Sequence, residues 1–579
     1  MPDRQTARIA KQNNKNEKLE RRRQARAARD QYQGERLAVA VELLLHGQEE
    51  YVYRAGDTVS NVRIPSTYGE AINDPVYGTK WREAIHNEVQ ALIRFDTWTA
   101  VKRSSIANHN VSTTKWVFTV KTGVDGRIDM FKARLVARGF SQEEGTDFSD
   151  TFAPVFRLES LRMLMSIAAQ YGLVAHMLDA SNAFVGSKLD KPNYIEIPEG
   201  VSCYEPEVAQ GDYVLALQKS LYGLRQSANL WNKKLVDFLT KIGFKCSTAD
   251  PSIFINDRGI MVALYVDDIL IFGKKEEEIE GIKRKLKGFH PMKDFGLAKK
   301  ILGIHIIWSK DRTTILLHQQ GYVKQILEEF GVTDCKPQHV PIAPSVQLDC
   351  DGPQLSPRYH NMFRRIIGRV MFLAVATRLD ISYATNRLSQ HLASPKEVHL
   401  HSAKHVLRYL KGTIMYKLPF RRHGGGLVGY VDSAYANSTE SRSTSANGFT
   451  LYGNAVSWTS RKQSIVAQSS TEAEYVALAD AMKQAIWIRH FLYSIRKPER
   501  GGTVLYEDNQ GAIKLSGNPT NHSKAKHIKV RYHAIRDAVS CGEVRMEYKS
   551  TREMIADTLT KAVGKDTLER LINDVGMKV

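Results

Sequence analysis

The sequence predicts a multidomain protein of the α+β class. With 579 residues it is too long for a single hydrophobic core, so two to four domains are expected. Stretches with helical apolar periodicity are interspersed with stretches in which apolar and polar residues alternate. From about residue 425 onward a strand, a hairpin, a long helix and another strand follow one another, an order typical of a compact α/β domain.

The elements before residue 425 are mostly helices. A β-hairpin is predicted at 114–140, where alternation surrounds the pair Asp125 and Gly126. Another strand is predicted at 173–184, and it breaks after Asp179. Helical spacing of apolar residues predicts helices in six segments: 81–95, 159–172, 227–244, 276–290, 319–331 and 403–413.

The formal net charge of +20 predicts a polyanionic partner, with nucleic acid as the first candidate and a merely soluble basic protein as the alternative. The segment 1–36 is basic and polar, which is typical of a disordered tail. It could bind phosphates, act as a nuclear address or simply be solvated. The apolar run at 38–46 is shorter than the roughly 18 residues of a membrane span, so no membrane segment is predicted.

Two adjacent carboxylates, Asp267 and Asp268, interrupt the apolar segment 259–273. Apolar residues alternate before the two acids and resume after them, which predicts a hairpin with the acids at its turn. Asp179 ends another apolar strand and is the candidate third acid. Converging carboxylates repel one another unless protons or a divalent cation intervene, and oxygen ligands favour Mg²⁺. A capped surface hairpin is the alternative, because this short acidic pattern alone is weak evidence.

The segments around these acids resemble the reverse transcriptases of copia-type retrotransposons. The resemblance extends from about residue 70 to about residue 565. Its motifs are highly specific when taken together. They are "WREAIHNEVQALIRFDTW", "KARLVARGFSQ", "TFAPVFRLESLRML", "DASNAFVGSKLD", "SLYGLRQSANLW", "LYVDDILIFG", "ILGIHI", "RLDISYATNRLSQHL" and "AKHVLRYLKGT".

The resemblance implies a right-hand polymerase of fingers, palm and thumb, followed by an α/β ribonuclease H-like domain. The expected divisions of the chain are a basic disordered tail at 1–36, a linker at 37–75, fingers and palm at 76–290, a thumb and connection region at 291–424, the ribonuclease H-like domain at 425–565 and a C-terminal tail at 566–579.

The resemblance further implies that Asp179, Asp267 and Asp268 are the catalytic acids and metal ligands of the palm. Two Mg²⁺ ions are expected in each active site, with Mn²⁺ as a possible substitute. The primer 3′-hydroxyl would attack the α-phosphate of a dNTP.

Substrate contacts are implied at four other positions. Phe184 would lie under the sugar and exclude a 2′-hydroxyl, with a core phenylalanine as the alternative. Gln226 would border the nucleotide pocket. Lys132 and Arg134 would face the triphosphate, although alternation along a strand suggests that only one of them does so.

Four acids of the C-terminal domain match ribonuclease H in order and element type: Asp432, Glu474, Asp508 and Asp557. Each alone would be read as a structural or solvated acid. Together they would bind two Mg²⁺ and cleave the RNA strand of an RNA–DNA hybrid. Glu472 is an alternative ligand, because it lies only two residues before Glu474. A basic segment at 522–537 could bind the hybrid's backbone or be solvated.

The expected function is therefore RNA- and DNA-templated DNA synthesis combined with hybrid-specific RNA cleavage. The partners would be an RNA template, a DNA primer–template, an RNA–DNA hybrid and dNTPs, with no membrane. A non-catalytic nucleic-acid-binding remnant and a nuclease without polymerase activity are the alternatives. We expect the protein in the cytoplasm, where virus-like particles could hold it, or in the nucleus, and we expect no secretion.

Overall fold

The computed structural model describes residues 62–106, 109–122, 128–201, 212–438, 440–517 and 529–578. The predicted basic tail at 1–36 lies outside them. The described parts of 64–121 and 130–579 form one compact unit. In this described part of the chain, no helix is both long enough and apolar enough to cross a membrane.

Helices and strands follow one another in irregular groups. The α-helices are α1 Tyr68–Ile72, α2 Gly78–Arg94, α3 Leu158–Tyr171, α4 Ser227–Lys241, α5 Glu276–Phe289, α6 Gln320–Glu329, α7 Pro357–Ala376, α8 Ser382–Ser389, α9 Glu397–Gly412, α10 Ser470–Ser494, α11 Gln510–Gly517, α12 Lys529–Ser540 and α13 Lys565–Val575. The strands are β1 Trp98–Lys102, β2 Val111–Ser112, β3 Thr114–Thr122, β4 Ile128–Ala137, β5 Val174–Ala180, β6 Lys188–Ile195, β7 Tyr213–Lys219, β8 Phe244–Cys246, β9 Ile253–Asn256, β10 Met261–Tyr265, β11 Asp268–Gly273, β12 Met292–Leu297, β13 Lys300–Ile301, β14 Ile304–Trp308, β15 Thr314–His318, β16 Leu418–Arg421, β17 Leu427–Ala434, β18 Thr444–Leu451, β19 Asn454–Lys462, β20 Thr503–Glu507 and β21 Val544–Tyr548.

The strands form several separate sheets, which confirms the predicted α+β multidomain class. The two sheets that carry acids have the strand orders β12-β5-β11-β10-β9-β8 and β19-β18-β17-β20-β21. We call the first the palm sheet and the second the C-terminal sheet. Two four-stranded sheets have the orders β1-β7-β6-β2 and β13-β14-β15-β16, and β3 pairs with β4 in the predicted hairpin.

The palm sheet is built from strands with apolar residues on both faces. One face packs against α4 and α5, whose buried side chains include Trp231 and Leu286. On the sheet side, Val262 and Ile269 are fully buried. Each such side chain stabilises the fold by roughly 1.5–3 kcal/mol on burial. Strand β12 pairs with β5 and extends the palm sheet beyond residue 290, the expected end of the palm.

The C-terminal sheet confirms the predicted α/β arrangement after residue 425. Strands β17, β18 and β19 are antiparallel neighbours, whereas β17, β20 and β21 run parallel to one another. Helix α10 packs against β17 and β18. Helix α13 lies mostly in the segment 566–579 that was expected to be a C-terminal tail. Its residues Leu568, Leu571 and Ile572 form a buried stripe at helical spacing.

Candidate active sites

A two-residue turn joins β10 to β11 and carries the first acid cluster. Tyr265 pairs with Asp268 across the hairpin, so Val266 and Asp267 form the turn. Asp268 lies directly opposite Asp179 on β5. The Asp267 carbonyl oxygen accepts a hydrogen bond of 2.9 Å from the N–H of Ala180. Strand pairing therefore brings the three predicted palm acids to one end of the sheet, where all three are half-buried.

Val266 continues the apolar run of β10 in the sequence, but it lies in the turn and does not pack as part of the strand. Its φ of 54° lies in the left-handed region, which β-branched residues rarely adopt. The indole N–H of Trp231 donates a hydrogen bond of 3.0 Å to its carbonyl oxygen. Trp231 is 1% exposed, so the palm core itself holds this strained turn.

Lys132 and Arg134 lie on the same face of β4, where the intervening Ala133 is buried. Side chains two residues apart share a face of a strand, so the alternation along β4 gives no ground for choosing between them. Both cations act on buried Glu88. Burial raises the pKa of Glu88, against the lowering effect of the Leu135 N–H and of the two cations.

Phe184 contacts an aromatic residue for which the sequence assigned no role. Its ring centroid lies 5.3 Å from that of Tyr222 in an edge-on arrangement. Burial, followed by the charge of Asp267, raises the pKa of the Tyr222 phenol, whereas Arg134 lowers it. The guanidinium carbon of Arg134 lies 5.8 Å from the Tyr222 ring centroid. Tyr222 thus links the predicted sugar contact to the predicted triphosphate contact.

Gln226 does not border an open pocket. Its side chain is fully buried, and its amide group is used in a network of polar side chains. The amide oxygen accepts from Gln142 at 3.1 Å, and the amide nitrogen donates to the carbonyl oxygen of Asp147 at 3.0 Å. In this structure the Gln226 side chain holds this polar network together, and its contact with a nucleotide stays a prediction.

The second cluster lies at the carboxyl ends of β17 and β20, two neighbouring strands inside the C-terminal sheet. Tyr430 on β17 pairs with Tyr506 on the parallel strand β20. Two residues further along each strand, Asp432 and Asp508 therefore come side by side. Glu474 reaches them from α10, and one carboxylate oxygen of each of the three acids lies within 4.8 Å of the others.

Glu472 is directed elsewhere, at the start of α10. One of its carboxylate oxygens accepts a hydrogen bond of 2.8 Å from the N–H of Gln468. Its own N–H donates to the Ser469 hydroxyl, which caps the helix. The geometry therefore favours Glu474 over Glu472 as a ligand.

Asp557 borders the cluster but is not one of the three grouped acids. It lies in a 3₁₀ turn, Ile555–Leu559. Its carboxylate forms an ion pair with Lys561. Burial, together with the charges of Asp557 and Asp508, raises the pKa of Asp432 to about 7.

Residues 95–344 match the family model for reverse transcriptase (RNA-dependent DNA polymerase). The chain is 34% identical over 550 residues to the retrovirus-related Pol polyprotein from transposon TNT 1-94 of Nicotiana tabacum, a match that covers 93% of this chain and 40% of that protein. It is 26% identical over 558 residues to the transposon Ty1-DR1 Gag-Pol polyprotein of Saccharomyces cerevisiae, covering 90% of this chain and 30% of that protein. These matches support a copia-type retrotransposon reverse transcriptase.

The chain spans less than half the length of the curated relatives it matches. Among solved structures, the foamy viral protease-reverse transcriptase in complex with RNA/DNA hybrid is similar with a TM-score of 0.46 and 15% identity. That match covers 82% of this chain and 54% of the foamy viral chain.

Two further residues of the chain lie beside the acid clusters and were missed in the sequence. Lys293 on β12 pairs with Asp179 and is exposed. The predicted palm ended before it, although the alternation at 292–297 was a usable signal. Glu507 is fully buried beside Asp508, and burial followed by the charge of Asp508 raises its pKa. Its place at the end of an apolar strand gave no separate signal.

The C-terminal cluster suits a divalent cation. Burial, followed by the charges of Glu507, Asp432 and Asp508, raises the pKa of Glu474 to about 11. In addition, Oε2 of Glu474 is buried and has no hydrogen-bond partner among the described residues. Grouped carboxylates with an unsatisfied oxygen form a donor set that hard cations such as Mg²⁺ prefer. The basic segment 522–537 enters α12 from residue 529 onward, and its first part lies outside the described residues.

Proposed function

We propose that this protein synthesises DNA on RNA or DNA templates at the palm site and cleaves RNA in RNA–DNA hybrids at the C-terminal site. The observation that carries the proposal is the pairing of Asp268 with Asp179 beside the Asp267 turn, within the segment that matches the reverse transcriptase family. The net charge of +20 supports a nucleic-acid partner.

At the palm site, Asp179, Asp267 and Asp268 would hold two Mg²⁺ ions. The bound ions would supply activation of the primer 3′-hydroxyl and stabilisation of the leaving pyrophosphate. Lys132 and Arg134 share a face of β4, from which they would bind the triphosphate of a dNTP.

Phe184 would contact the sugar of the incoming nucleotide. Its ring is held by the edge of Tyr222, so it would present a fixed surface against a 2′-hydroxyl. We therefore propose a preference for dNTPs over ribonucleotides.

At the C-terminal site, Asp432, Glu474 and Asp508 would hold the ions, with Asp557 at the rim. The ions would supply activation of a water molecule for attack on the RNA phosphodiester. The acids themselves orient the site, because they come from two parallel strands and the helix packed on them. The closeness of the three acids supports this activity.

Two substitutions should separate the activities. Asp267→Asn should abolish primer extension with all dNTPs and Mg²⁺ while leaving hybrid cleavage intact, because only the palm acids change. Asp508→Asn should do the reverse. Extension of an annealed primer on RNA and on DNA templates, and cleavage of a labelled hybrid, would be measured on purified full-length protein with circular dichroism as the folding control.

The alternatives predict other results. A non-catalytic remnant would bind primer–template with an affinity that falls with salt, while wild-type protein forms no product on either template. A nuclease without polymerase activity would cleave the hybrid but extend no primer. Either result for folded wild-type protein would refute the proposed polymerase.

A further inference from the structure

The buried hydroxyl group of Thr560, which is not itself one of the acids, contacts the C-terminal acid cluster. Thr560 follows the 3₁₀ turn that carries Asp557, and it is 0% exposed. Its hydroxyl donates to Oδ2 of Asp432 and also lies 3.0 Å from the carbonyl oxygen of Asp557. One side chain thereby joins two of the proposed ligands, although they are far apart in the sequence.

The backbone of Thr560 is anchored to the sheet. The Asn437 side-chain amide donates to the Thr560 carbonyl oxygen at 3.3 Å. The amide oxygen of Asn437 in turn accepts from the Thr444 hydroxyl at 2.9 Å. Because Thr444 lies at the start of β18, the position of Thr560 is set by the same sheet that carries Asp432.

A second hydroxyl contacts Asp508, the other acid carried by a central strand. The Thr551 hydroxyl donates to Oδ2 of Asp508 at 2.6 Å. Thr551 and Thr560 flank Asp557 in the segment that leads from β21 to α13. The segment therefore contributes one acid of its own and one hydroxyl to each of the two acids on the central strands.

We propose that Thr560 and Thr551 are positioning residues that fix the carboxylates of Asp432 and Asp508 in the orientation required for Mg²⁺. This rests on the proposed ribonuclease H function of the site. A carboxylate held through one oxygen cannot rotate freely, so its other oxygen keeps a fixed direction. Groups behind metal ligands typically change metal affinity or activity by roughly 10- to 100-fold when removed.

The test compares Thr560→Val, which keeps shape but loses the hydroxyl, with Thr560→Ser, which keeps the hydroxyl. Thr558→Val is the matched control, since the Thr558 hydroxyl donates to the Ile555 carbonyl oxygen of its own 3₁₀ turn and, among the described residues, to no acid side chain. Two quantities would be measured on the full chain. They are the Mg²⁺ concentration for half-maximal hybrid cleavage and the rise in melting temperature caused by Mg²⁺ alone.

Thr560→Val should raise the half-maximal Mg²⁺ concentration by roughly 10- to 100-fold and diminish the Mg²⁺-induced rise in melting temperature. Thr560→Ser should restore both quantities, and Thr558→Val should leave both near the wild-type values. Primer extension should be unchanged in all three variants. Thr560→Val behaving like Thr558→Val in both measurements would overturn the proposal.

Thr551→Val keeps the test decisive if Thr560→Val fails to fold, because Thr551 is exposed. It should weaken Mg²⁺ binding in the same direction, and unchanged Mg²⁺ dependence would count against positioning by hydroxyls. Failure of the proposed function looks different. Wild-type protein would then cleave no hybrid, whereas the Mg²⁺-induced change in melting temperature would still report on ligand positioning.

Discussion

At the scale of single residues, the C-terminal acids are buried and repel one another when they are ionised, and both effects raise the pKa of Asp432. Burial and neighbouring acids raise the pKa of Asp432 to about 7, whereas an unperturbed aspartate titrates near 3.9. The folded state therefore binds more protons than the unfolded state between these two values. It follows that Asp432 reduces stability progressively as the pH rises through this window. Glu474, with a pKa raised to about 11, remains protonated there.

Because the folded state binds the extra proton at Asp432, the free energy of unfolding without Mg²⁺ should fall between about pH 4 and about pH 7. It should fall more steeply in the wild-type protein than in Asp432→Asn. Each unit of pKa difference corresponds to about 1.4 kcal/mol, so the two proteins should diverge by a few kcal/mol across the window. Denaturant unfolding in the presence of a chelator would measure the difference. Parallel pH profiles for the two proteins would show that Asp432 is not the group responsible.

The identity of the acids could be predicted at this scale, but not their surroundings. Asp179 and Asp268 each end or begin an apolar strand, so alternation and strand breaks revealed them. The choice of Glu474 over Glu472 required the orientation of α10. The burial of Gln226 could not be predicted, because it involves contact with Gln142, a residue distant in sequence. The role of Thr560 could not be predicted, since it depends on tertiary contact with Asp432.

At the scale of elements, the β10–β11 hairpin depends on Trp231 of α4. Its indole N–H is the hydrogen-bond donor to the strained Val266 carbonyl. Trp231→Phe should keep most of the core packing but leave that carbonyl oxygen without this donor, at a cost of about 1–3 kcal/mol. Because the turn carries Asp267, we expect primer extension to fall by about tenfold through misplacement of the acid.

Hybrid cleavage is the internal control for this prediction, because Trp231 lies in the palm core and the C-terminal acids do not contact it. Single-turnover extension rates would be compared for the wild-type protein and Trp231→Phe at saturating dNTP. Equal loss of both activities would point to general unfolding, and an unchanged extension rate would show that the turn holds its position without Trp231.

Long periodic elements were predictable from sequence, and short or composite ones were not. Helix α3 ends at Gly172, which adopts a φ of 67°, as glycine at a helix end suggests. The segment 551–559 forms two short 3₁₀ turns, Thr551–Glu553 and Ile555–Leu559. Strand β12 was missed as a palm element, since its partner β5 lies more than a hundred residues earlier.

At the scale of the whole molecule, the palm packs directly on the C-terminal domain through Arg162 of α3. This arginine is 2% exposed, and burial lowers its pKa to about 10. Its guanidinium donates to the carbonyl oxygens of Val456 at 2.7 Å and Val375 at 2.6 Å. Its guanidinium carbon lies 3.9 Å from the ring centroid of Trp458. One side chain thus joins the palm to β19 and to the end of α7.

Other contacts extend this junction along both partners. The Ser166 hydroxyl donates to the Leu451 carbonyl oxygen at 2.7 Å and accepts from Asn454 at 3.1 Å. The indole of Trp487 on α10 donates to the Ala249 carbonyl oxygen of the palm at 3.1 Å. Because these groups are largely buried and mutually satisfied, the two acid clusters should keep a fixed separation and the two domains should unfold together.

Arg162→Met tests this coupling. The substitution keeps an unbranched apolar stem but removes the donors to the Val456 and Val375 carbonyl oxygens, at about 1–3 kcal/mol for each orphaned acceptor. Wild-type protein should unfold in a single thermal transition, whereas Arg162→Met should unfold in two. Its hybrid cleavage should also spread over more positions relative to the primer 3′ end.

Arg364→Met is the matched control, since that exposed arginine bonds only to the nearby Leu392 carbonyl oxygen. A single transition and an unchanged cleavage pattern in Arg162→Met would mean that the domains are held together by the remaining contacts alone.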